Sequence, residues 1–187
     1  MKMKIGPLCF WFLLLIPVWA YGADPAVGKL RAGECAKCHG TEGISGDQQI
    51  PNLAGQRYQY LYDQMLNFKI GLHRYGTMRE KTRPMSLEEM EAVAAYYSGL
   101  SPFSGKGNAL PETKGRLKLS TCETCHGTQG EGQPTHPRLA GQKSGYLFSQ
   151  LKAFRTGARN HPVMTLFVEG LTDDDIRAIS DYYSNLK

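Results

Sequence analysis

The sequence is sparing with cysteine and with long apolar runs. Of its five cysteines, Cys9 falls in the N-terminal region and the other four belong to two five-residue motifs, which leaves no thiol for a separate disulfide. Beyond residue 22, no apolar stretch approaches the ~20 residues that a membrane-spanning helix needs. The sequence therefore predicts no membrane span in the mature chain.

The apolar run near the N-terminus is short. It covers 13 residues from Leu8 to Ala20, is interrupted by Pro17, and follows Lys2 and Lys4. This pattern is typical of a secretory signal peptide, whereas a retained anchor would need a longer uninterrupted run. We predict that residues 1–22 are removed on export and that the mature chain works in a bacterial periplasm, where peripheral contact with a membrane stays open.

Neither sign of charge is in large excess. The chain has 22 Lys and Arg against 17 Asp and Glu, and loss of Lys2 and Lys4 with the signal peptide leaves about +3. Such a small excess does not predict a nucleic-acid partner. We expect the basic residues to be solvated, with local patches available for docking another protein.

Both cysteine motifs run directly into a histidine. They read Cys35-Ala-Lys-Cys38-His39 and Cys122-Glu-Thr-Cys125-His126. The C-x-x-C-H pattern is typical of c-type haem attachment, in which both thiols bind the porphyrin covalently and the histidine ligates the iron.

A single C-x-x-C pair has other interpretations: a redox dithiol, a structural disulfide or half of a zinc site. Two copies with an adjacent histidine disfavour these, because zinc sites usually place their histidines further away. We predict two covalent haem c groups, attached through the four cysteines and ligated by His39 and His126.

The repeat extends beyond the motifs. The motifs lie 87 residues apart, and downstream of them Pro51–Gln56 matches Pro137–Gln142 at an offset of 86. This is an internal duplication. We predict a first domain over 24–98, a linker rich in Gly, Pro and Ser over 99–113, and a second domain over 114–187. Each half is small, so a buried porphyrin would supply much of its apolar core.

The apolar spacing predicts an all-α fold. A helix enters each motif, and further helices are expected from about Tyr58 to Lys69 and from Gly145 to Thr156. Capping signals at Ser86-x-x-Glu89 and Thr172-x-x-Asp175 predict where the last helix of each half starts. The signal with Glu89 is stronger than the signal with Asp175. The segments in between are treated as loops.

The repeat selects the second ligand of each iron. Met78 and Met164 lie 86 apart, as a ligand present before duplication should. The rival Met85 has Leu171 as its counterpart, and its place before Ser86 suits a hydrophobic staple. Met65 and Met90 are assigned to the core.

Three further histidines compete as ligands, and none has a histidine counterpart. His73 pairs with Arg159, His136 with Ile50, and His161 with Tyr75. We expect them to face solvent, with His161, three residues before Met164, as the strongest rival.

Two prolines follow their motifs at similar distances. Pro51 and Pro137 either form a simple turn or present a carbonyl to the N–H of the proximal histidine, and spacing alone leaves both interpretations open.

These motifs resemble those of the dihaem cytochromes c of the cytochrome c4 family. The shared elements are two C-x-x-C-H-G segments, two P-x-L-A-G-Q turns, the helix ends Gln64–Gly71 and Gln150–Gly157, and the paired Met78 and Met164. The resemblance implies two tandem class I cytochrome c domains, His/Met ligation, and proximal histidines oriented by the carbonyls of Pro51 and Pro137. The Met78 segment departs from the pattern, because its arginine is shifted and it has no proline.

The resemblance implies an electron-transfer protein rather than an enzyme. Its partners would be redox proteins such as a terminal oxidase or a quinol or dehydrogenase complex. One alternative is the electron-accepting subunit of a larger dehydrogenase, similar to flavocytochrome c sulfide dehydrogenase. A dihaem peroxidase or sulfur-oxidising enzyme is less favoured, because it needs an iron with an open position.

Overall fold

The computed structural model describes residues 24–73, 76–105 and 116–187. The predicted signal peptide and residues 106–113 of the predicted linker lie outside the described residues, so the domain boundaries stay predictions. The described chain forms eight helices: α1 Pro25–His39, α2 Tyr58–Ile70, α3 Gly76–Thr82, α4 Leu87–Ser98, α5 Arg116–His126, α6 Ser144–Arg155, α7 Pro162–Val168 and α8 Asp173–Asn185. Within those ranges there is no β-strand, which confirms the predicted all-α class.

The two halves build the same core from equivalent positions. In the first half Leu61 of α2 packs with Val93 and Tyr97 of α4. In the second, Leu147 of α6 packs with Ile179 and Tyr183 of α8. Each residue has its counterpart 86 positions on, so the duplication is kept in the packing as well as in the motifs.

Both closing helices begin at the predicted caps. The Glu89 N–H donates to Ser86 Oγ at 3.2 Å, and the Ser86 N–H donates to Glu89 Oε2 at 2.9 Å. Thr172 and Asp175 form the same reciprocal pair at 3.2 and 2.9 Å. Each reciprocal pair satisfies backbone N–H groups that the start of a helix otherwise leaves unpaired. Both hydrogen bonds form at Thr172 and Asp175, as they do at Ser86 and Glu89.

The methionine segments are helices, not the loops that the sequence predicts. Met78 lies in α3 and Met164 in α7, each seven residues long. Two turns are too short for a periodic apolar pattern to develop. The start of α7 is nevertheless marked in the sequence, because Pro162 occupies its first turn after the His161 cap.

A close helix crossing fixes the position of the first motif. Gly28 of α1 faces the Ala92 carbonyl of α4, and a Cβ at position 28 would overlap that carbonyl. Glycine therefore lets α1 pack against α4 at this point, and the motif at the other end of α1 is held over the core.

The described part of the chain contains no helix long and apolar enough to cross a membrane.

The halves meet through a pair of reciprocal contacts. Gln56 Nε2 donates to the Arg138 carbonyl at 3.0 Å and its Oε1 accepts from the Arg138 N–H at 2.7 Å. Gln142 does the same to the backbone of Asn52, at 3.0 and 2.8 Å. Both glutamines are buried. Because Asn52 and Arg138 are equivalent positions, the contact has the form of a two-fold interface.

Candidate functional site

Each cysteine motif forms the last turn of a helix. Cys35, Cys38 and His39 end α1, and the equivalent residues of the second motif end α5. Side chains at i, i+3 and i+4 share one helix face, so each motif presents its two thiols and its imidazole together. Gly40 follows α1 with a φ of 82°, a conformation that favours glycine, and turns the chain away from the motif.

Each proximal histidine is fixed by a proline carbonyl. His39 Nδ1 lies 2.9 Å from the Pro51 oxygen, and His126 Nδ1 lies 3.0 Å from the Pro137 oxygen. A carbonyl only accepts, so Nδ1 carries the proton and Nε2 keeps its lone pair. These are the contacts that the family resemblance implies, and they leave Nε2 as the nitrogen able to bind iron.

Burial keeps the two histidines neutral. Both side chains are buried, and desolvation lowers the pKa of His39 and of His126 below the ordinary value, with the proline hydrogen bond opposing that shift. A neutral imidazole is the form that ligates a metal. The environment therefore prepares both rings for iron.

The cysteines are not built as a redox pair. None of the four in the described residues forms a disulfide. Burial raises the pKa of the Cys35 and Cys122 thiols, whereas a reactive dithiol needs a lowered pKa. The structure thus speaks against the redox-dithiol interpretation of these motifs.

A continuous cavity of about 2030 Å³ opens beside both motifs. Its wall includes all four motif cysteines, both proximal histidines, and Met78 and Met164. Met65 and Met85 also line it, and both pack against the first core, while Met90 is fully buried in α4. Contact with the cavity does not separate Met78 from Met85, so the choice of Met78 stays a prediction from the repeat.

The two methionine helices are anchored differently. In α3, Thr82 Oγ1 donates to the Met78 carbonyl at 2.9 Å. In α7, the Met164 N–H donates to His161 Nδ1 at 3.2 Å, so His161 caps the helix that carries the methionine. His161 thus has a structural task that its spacing before Met164 did not reveal.

The three unpaired histidines all line the cavity. His73 packs edge-on against Phe68, with ring centroids 5.2 Å apart, and His136 packs edge-on against His126 at 6.0 Å. The expectation that they face solvent is wrong for these two, which are half-buried. Burial and the nearby Arg159 and His161 lower the pKa of His73 to about 4, so it is uncharged near neutral pH.

Sequence reasoning missed the role of Arg159. Its guanidinium donates to Gln150 Oε1 in its own half and to Gln64 Oε1 in the other half, both at 2.7 Å. It also lies 4.6 Å from the Phe154 ring centroid. The sequence does contain one sign of this role. At the repeat offset Arg159 is equivalent to His73, so the two halves differ at this position.

The residues present fit haem c in both halves. Each motif presents two thiols and an oriented imidazole on one helix face. The cavity beside the motif extends to a methionine on a separate helix. Thioether bonds, imidazole and methionine sulfur are the donor set of c-type haem proteins.

Comparisons with known proteins agree with this site. The family model described as Cytochrome c matches residues 27–101 and 113–187. Cytochrome c4 of Azotobacter vinelandii is 32% identical, over 87% of this chain and 89% of that protein. The thiosulfate dehydrogenase electron acceptor of Thiomonas intermedia (strain K12) is 31% identical, over 88% of this chain and 83% of that protein.

Among solved structures, reduced recombinant cytochrome c4 from Pseudomonas stutzeri superposes with a TM-score of 0.81 at 29% identity, covering 88% of this chain and all of that one. The family implies covalently bound haem c and an electron-transfer role. The chain therefore belongs to the cytochrome c family, as a protein of two tandem cytochrome c domains similar to the cytochromes c4.

Proposed function

We propose that this chain binds two haem c groups and carries single electrons in a bacterial periplasm, between a respiratory donor and an acceptor such as a terminal oxidase. Cys35 and Cys38 hold the first haem covalently and Cys122 and Cys125 the second. His39 with Met78, and His126 with Met164, would ligate the two irons.

One observation carries the proposal: both halves present the same complete set of donors to one cavity. In each half an imidazole with a free Nε2 and a methionine line the wall. A six-coordinate iron has no position for a substrate, so the arrangement favours electron transfer over catalysis. When bound, the haem supplies a reversible one-electron couple whose potential methionine ligation raises.

The protein orients the ligand side chains and surrounds the haem sites with apolar residues. The carbonyls of Pro51 and Pro137 hold the imidazoles in one orientation, and such a hydrogen bond strengthens the histidine as a ligand. The helical cores beside the cavity keep the sites apolar. Differences between the halves at Arg159 and His73 supply a means of separating the two potentials.

The absorption spectrum of the loaded, oxidised protein at neutral pH tests this directly. Two low-spin haems, each reduced by one electron in a resolved redox titration, are expected, and a candidate oxidase should reoxidise both. A five-coordinate, high-spin haem would contradict the proposal and favour a peroxidase-type enzyme instead.

A second function is favoured by the relative named as an electron acceptor of thiosulfate dehydrogenase. Under it, this chain is the electron-accepting subunit of a larger dehydrogenase rather than a free shuttle. Purification of the native protein under mild conditions distinguishes the two, because stoichiometric co-elution with a dehydrogenase supports the subunit and elution alone supports the shuttle.

A further inference from the structure

One peptide group in each half is hydrogen-bonded at both of its ends. In the first half this group joins Pro51 to Asn52. Its carbonyl oxygen lies 2.9 Å from His39 Nδ1, and its N–H donates to Gln142 Oε1 at 2.8 Å. The proximal histidine of the first half and a glutamine of the second half therefore share a single peptide group.

The second half repeats this arrangement with the roles exchanged. The peptide group between Pro137 and Arg138 accepts from His126 Nδ1 at 3.0 Å and donates to Gln56 Oε1 at 2.7 Å. Each P-x-L-A-G-Q turn thus contains both parts of the arrangement. Its proline carbonyl orients the histidine of its own half, and its glutamine binds the peptide group that orients the histidine of the other half.

The two glutamine side chains are held in place. Both are buried, and each Nε2 donates to a carbonyl of the other half. Each Oε1 also accepts the N–H of the next residue in the chain, at 2.9 Å from Arg57 and 3.0 Å from Lys143. Because both ends of the side-chain amide are bonded, each Oε1 is a fixed acceptor.

A hydrogen bond at one end of a peptide group affects the bond at its other end. Resonance couples the nitrogen to the carbonyl oxygen, so an acceptor at the N–H places more negative charge on the oxygen and makes it a stronger acceptor. Both peptide groups are trans and close to planar, so an acceptor that fixes the N–H also fixes the direction of the carbonyl. The glutamine therefore controls the strength and the direction of the bond to the histidine.

The strength of that bond affects the iron. A histidine whose Nδ1–H is firmly hydrogen-bonded is a more basic ligand, and a more basic ligand stabilises the ferric charge and lowers the potential. We propose that Gln142 lowers the potential of the haem ligated by His39, and that Gln56 does the same for the other haem. The proposal rests on the electron-carrier function and adds a positioning residue for each iron, supplied by the opposite half.

The simpler role of these glutamines is to satisfy backbone groups where the halves meet. In that role, loss of one glutamine would loosen the contact and would change both potentials alike or neither. Tuning through the peptide group predicts a crossed effect, in which a substitution in one half changes the potential of the haem in the other half.

Two variants of the full-length protein, loaded with both haems, test for the crossed effect. Leucine is similar in volume to glutamine and accepts no hydrogen bond. Gln142→Leu should favour reduction of the first haem by about threefold, a rise in potential of ~30 mV for a one-electron couple, and should change the second haem much less. Gln56→Leu should do the reverse. Resolved redox titration measures both shifts, and Met164→Ala identifies the second haem because the loss of its ligand lowers its potential.

The matched control is Asn52→Ala, which removes a different hydrogen bond between the halves. Asn52 Nδ2 donates to the Gly141 carbonyl at 3.1 Å, whereas the Asn52 N–H stays available to Gln142. The substitution also removes the bond from the Ser45 N–H, so it disturbs the surroundings of His39 as well. The first haem should shift by less than half as much as in Gln142→Leu, and an equal shift would overturn the proposal.

Proton NMR of the reduced, diamagnetic protein measures the histidine bond itself. The Nδ1–H resonance of His39 should move upfield in Gln142→Leu, because a weaker hydrogen bond deshields its proton less, and the resonance of His126 should stay in place. An unmoved His39 resonance, or equal shifts of both haem potentials, would overturn the proposal.

If Gln142→Leu prevents haem loading, Gln142→Ala gives the same test. Its shift should have the same sign in the same haem and be smaller, because water can bind the released N–H. A high-spin spectrum of the wild type would refute the carrier function, whereas two low-spin haems without the crossed effect would refute only the tuning by the glutamines.

Discussion

The two halves are alike in their cores and in the contacts of their proximal histidines, and they differ in the side chains that they expose to solvent. Core residues such as Leu61 and Leu147, and the contacts of His39 and His126 with a proline carbonyl, coincide at the repeat offset. The methionine helices diverge, α3 towards charge and α7 towards apolar side chains. The duplication has kept the residues around the two motifs, whereas the exposed faces of the methionine helices have changed.

A second difference lies in the residues that each half contributes to the wall of the cavity. Arg159 reaches across to Gln64 of the first half, while the equivalent His73 packs against Phe68 and is held neutral. A positive charge at one position and an uncharged ring at the equivalent position make the surroundings of the two cysteine motifs unequal. Similar ligands need not give equal potentials.

Loss of an axial methionine is the largest expected effect, and it tests whether the halves are ligated alike. Met78→Ala and Met164→Ala should each convert one haem to high-spin or to a new ligand. The potential of that haem should fall by on the order of 0.1 V, within the ~0.8 V that axial ligands span. Visible spectra and redox titration measure both effects.

The matched control for Met78 is Met85→Ala, which should leave both spectra intact. If Met85→Ala gives the high-spin haem and Met78→Ala does not, the ligand assigned from the repeat is wrong in the first half.

Equivalent core truncations test whether the halves are equally stable. Leu61 and Leu147 are both 7% exposed, so Leu61→Ala and Leu147→Ala should each lower the free energy of unfolding by about 2–5 kcal/mol. Guanidinium unfolding followed by circular dichroism measures this. Ile70→Ala, at a residue 58% exposed, should change it by less than about 0.5 kcal/mol. A markedly larger loss for one core leucine than for the other would show that the cores are not equivalent.

Breaking the contact between the halves should have a smaller effect. Gln56→Ala and Gln142→Ala each leave a backbone N–H and carbonyl of the other half without a partner, half-buried at Arg138 and buried at Asn52, at a cost of about 1–3 kcal/mol. We expect calorimetry to show a larger difference between the unfolding temperatures of the two halves than in the wild type. A single unshifted transition in both variants would mean that the glutamines do not couple the halves.

The smallest expected effect concerns His73 and acid. Burial lowers the pKa of His73 to about 4 in the folded protein, whereas the unfolded chain takes up the proton near pH 6.5. The group therefore costs stability as the pH falls from about 6.5 towards 4. His73→Gln should reduce the difference in guanidinium midpoint between pH 7 and pH 4.5, and the side chain's partial exposure keeps the change modest.

Ile70→Ala serves as the control for His73, because it alters a neighbouring exposed position without a titratable group. If His73→Gln leaves the difference in guanidinium midpoint between the two pH values unchanged, the acid sensitivity does not come from His73.

Much of the fold can be predicted because its signals are local and occur twice. The spacing of Val93 and Tyr97, and of Ile179 and Tyr183, predicts helices with one buried face, and the caps at Ser86 and Thr172 fix where those helices start. α2 was predicted from Tyr58 to Lys69 and ends one residue later, at Ile70.

What the sequence did not predict depends on distant contacts or on very short elements. α3 and α7 are two turns long, and only Pro162 marks a start. The glutamine of each P-x-L-A-G-Q turn was recognised as part of the repeat, but a pattern does not tell which backbone a side chain will reach. The burial of His73 and the reach of Arg159 likewise follow from how the halves meet.

The reciprocal contact of Gln56 and Gln142 has a consequence for how such a molecule can change. In a dimer of identical chains, every substitution at a two-fold contact appears on both sides at once. Fusion of the two copies removes that constraint, so each side can vary alone. Asn52 and Arg138, one position in two copies, already differ, yet each still meets its glutamine through the backbone, which no substitution other than proline takes away.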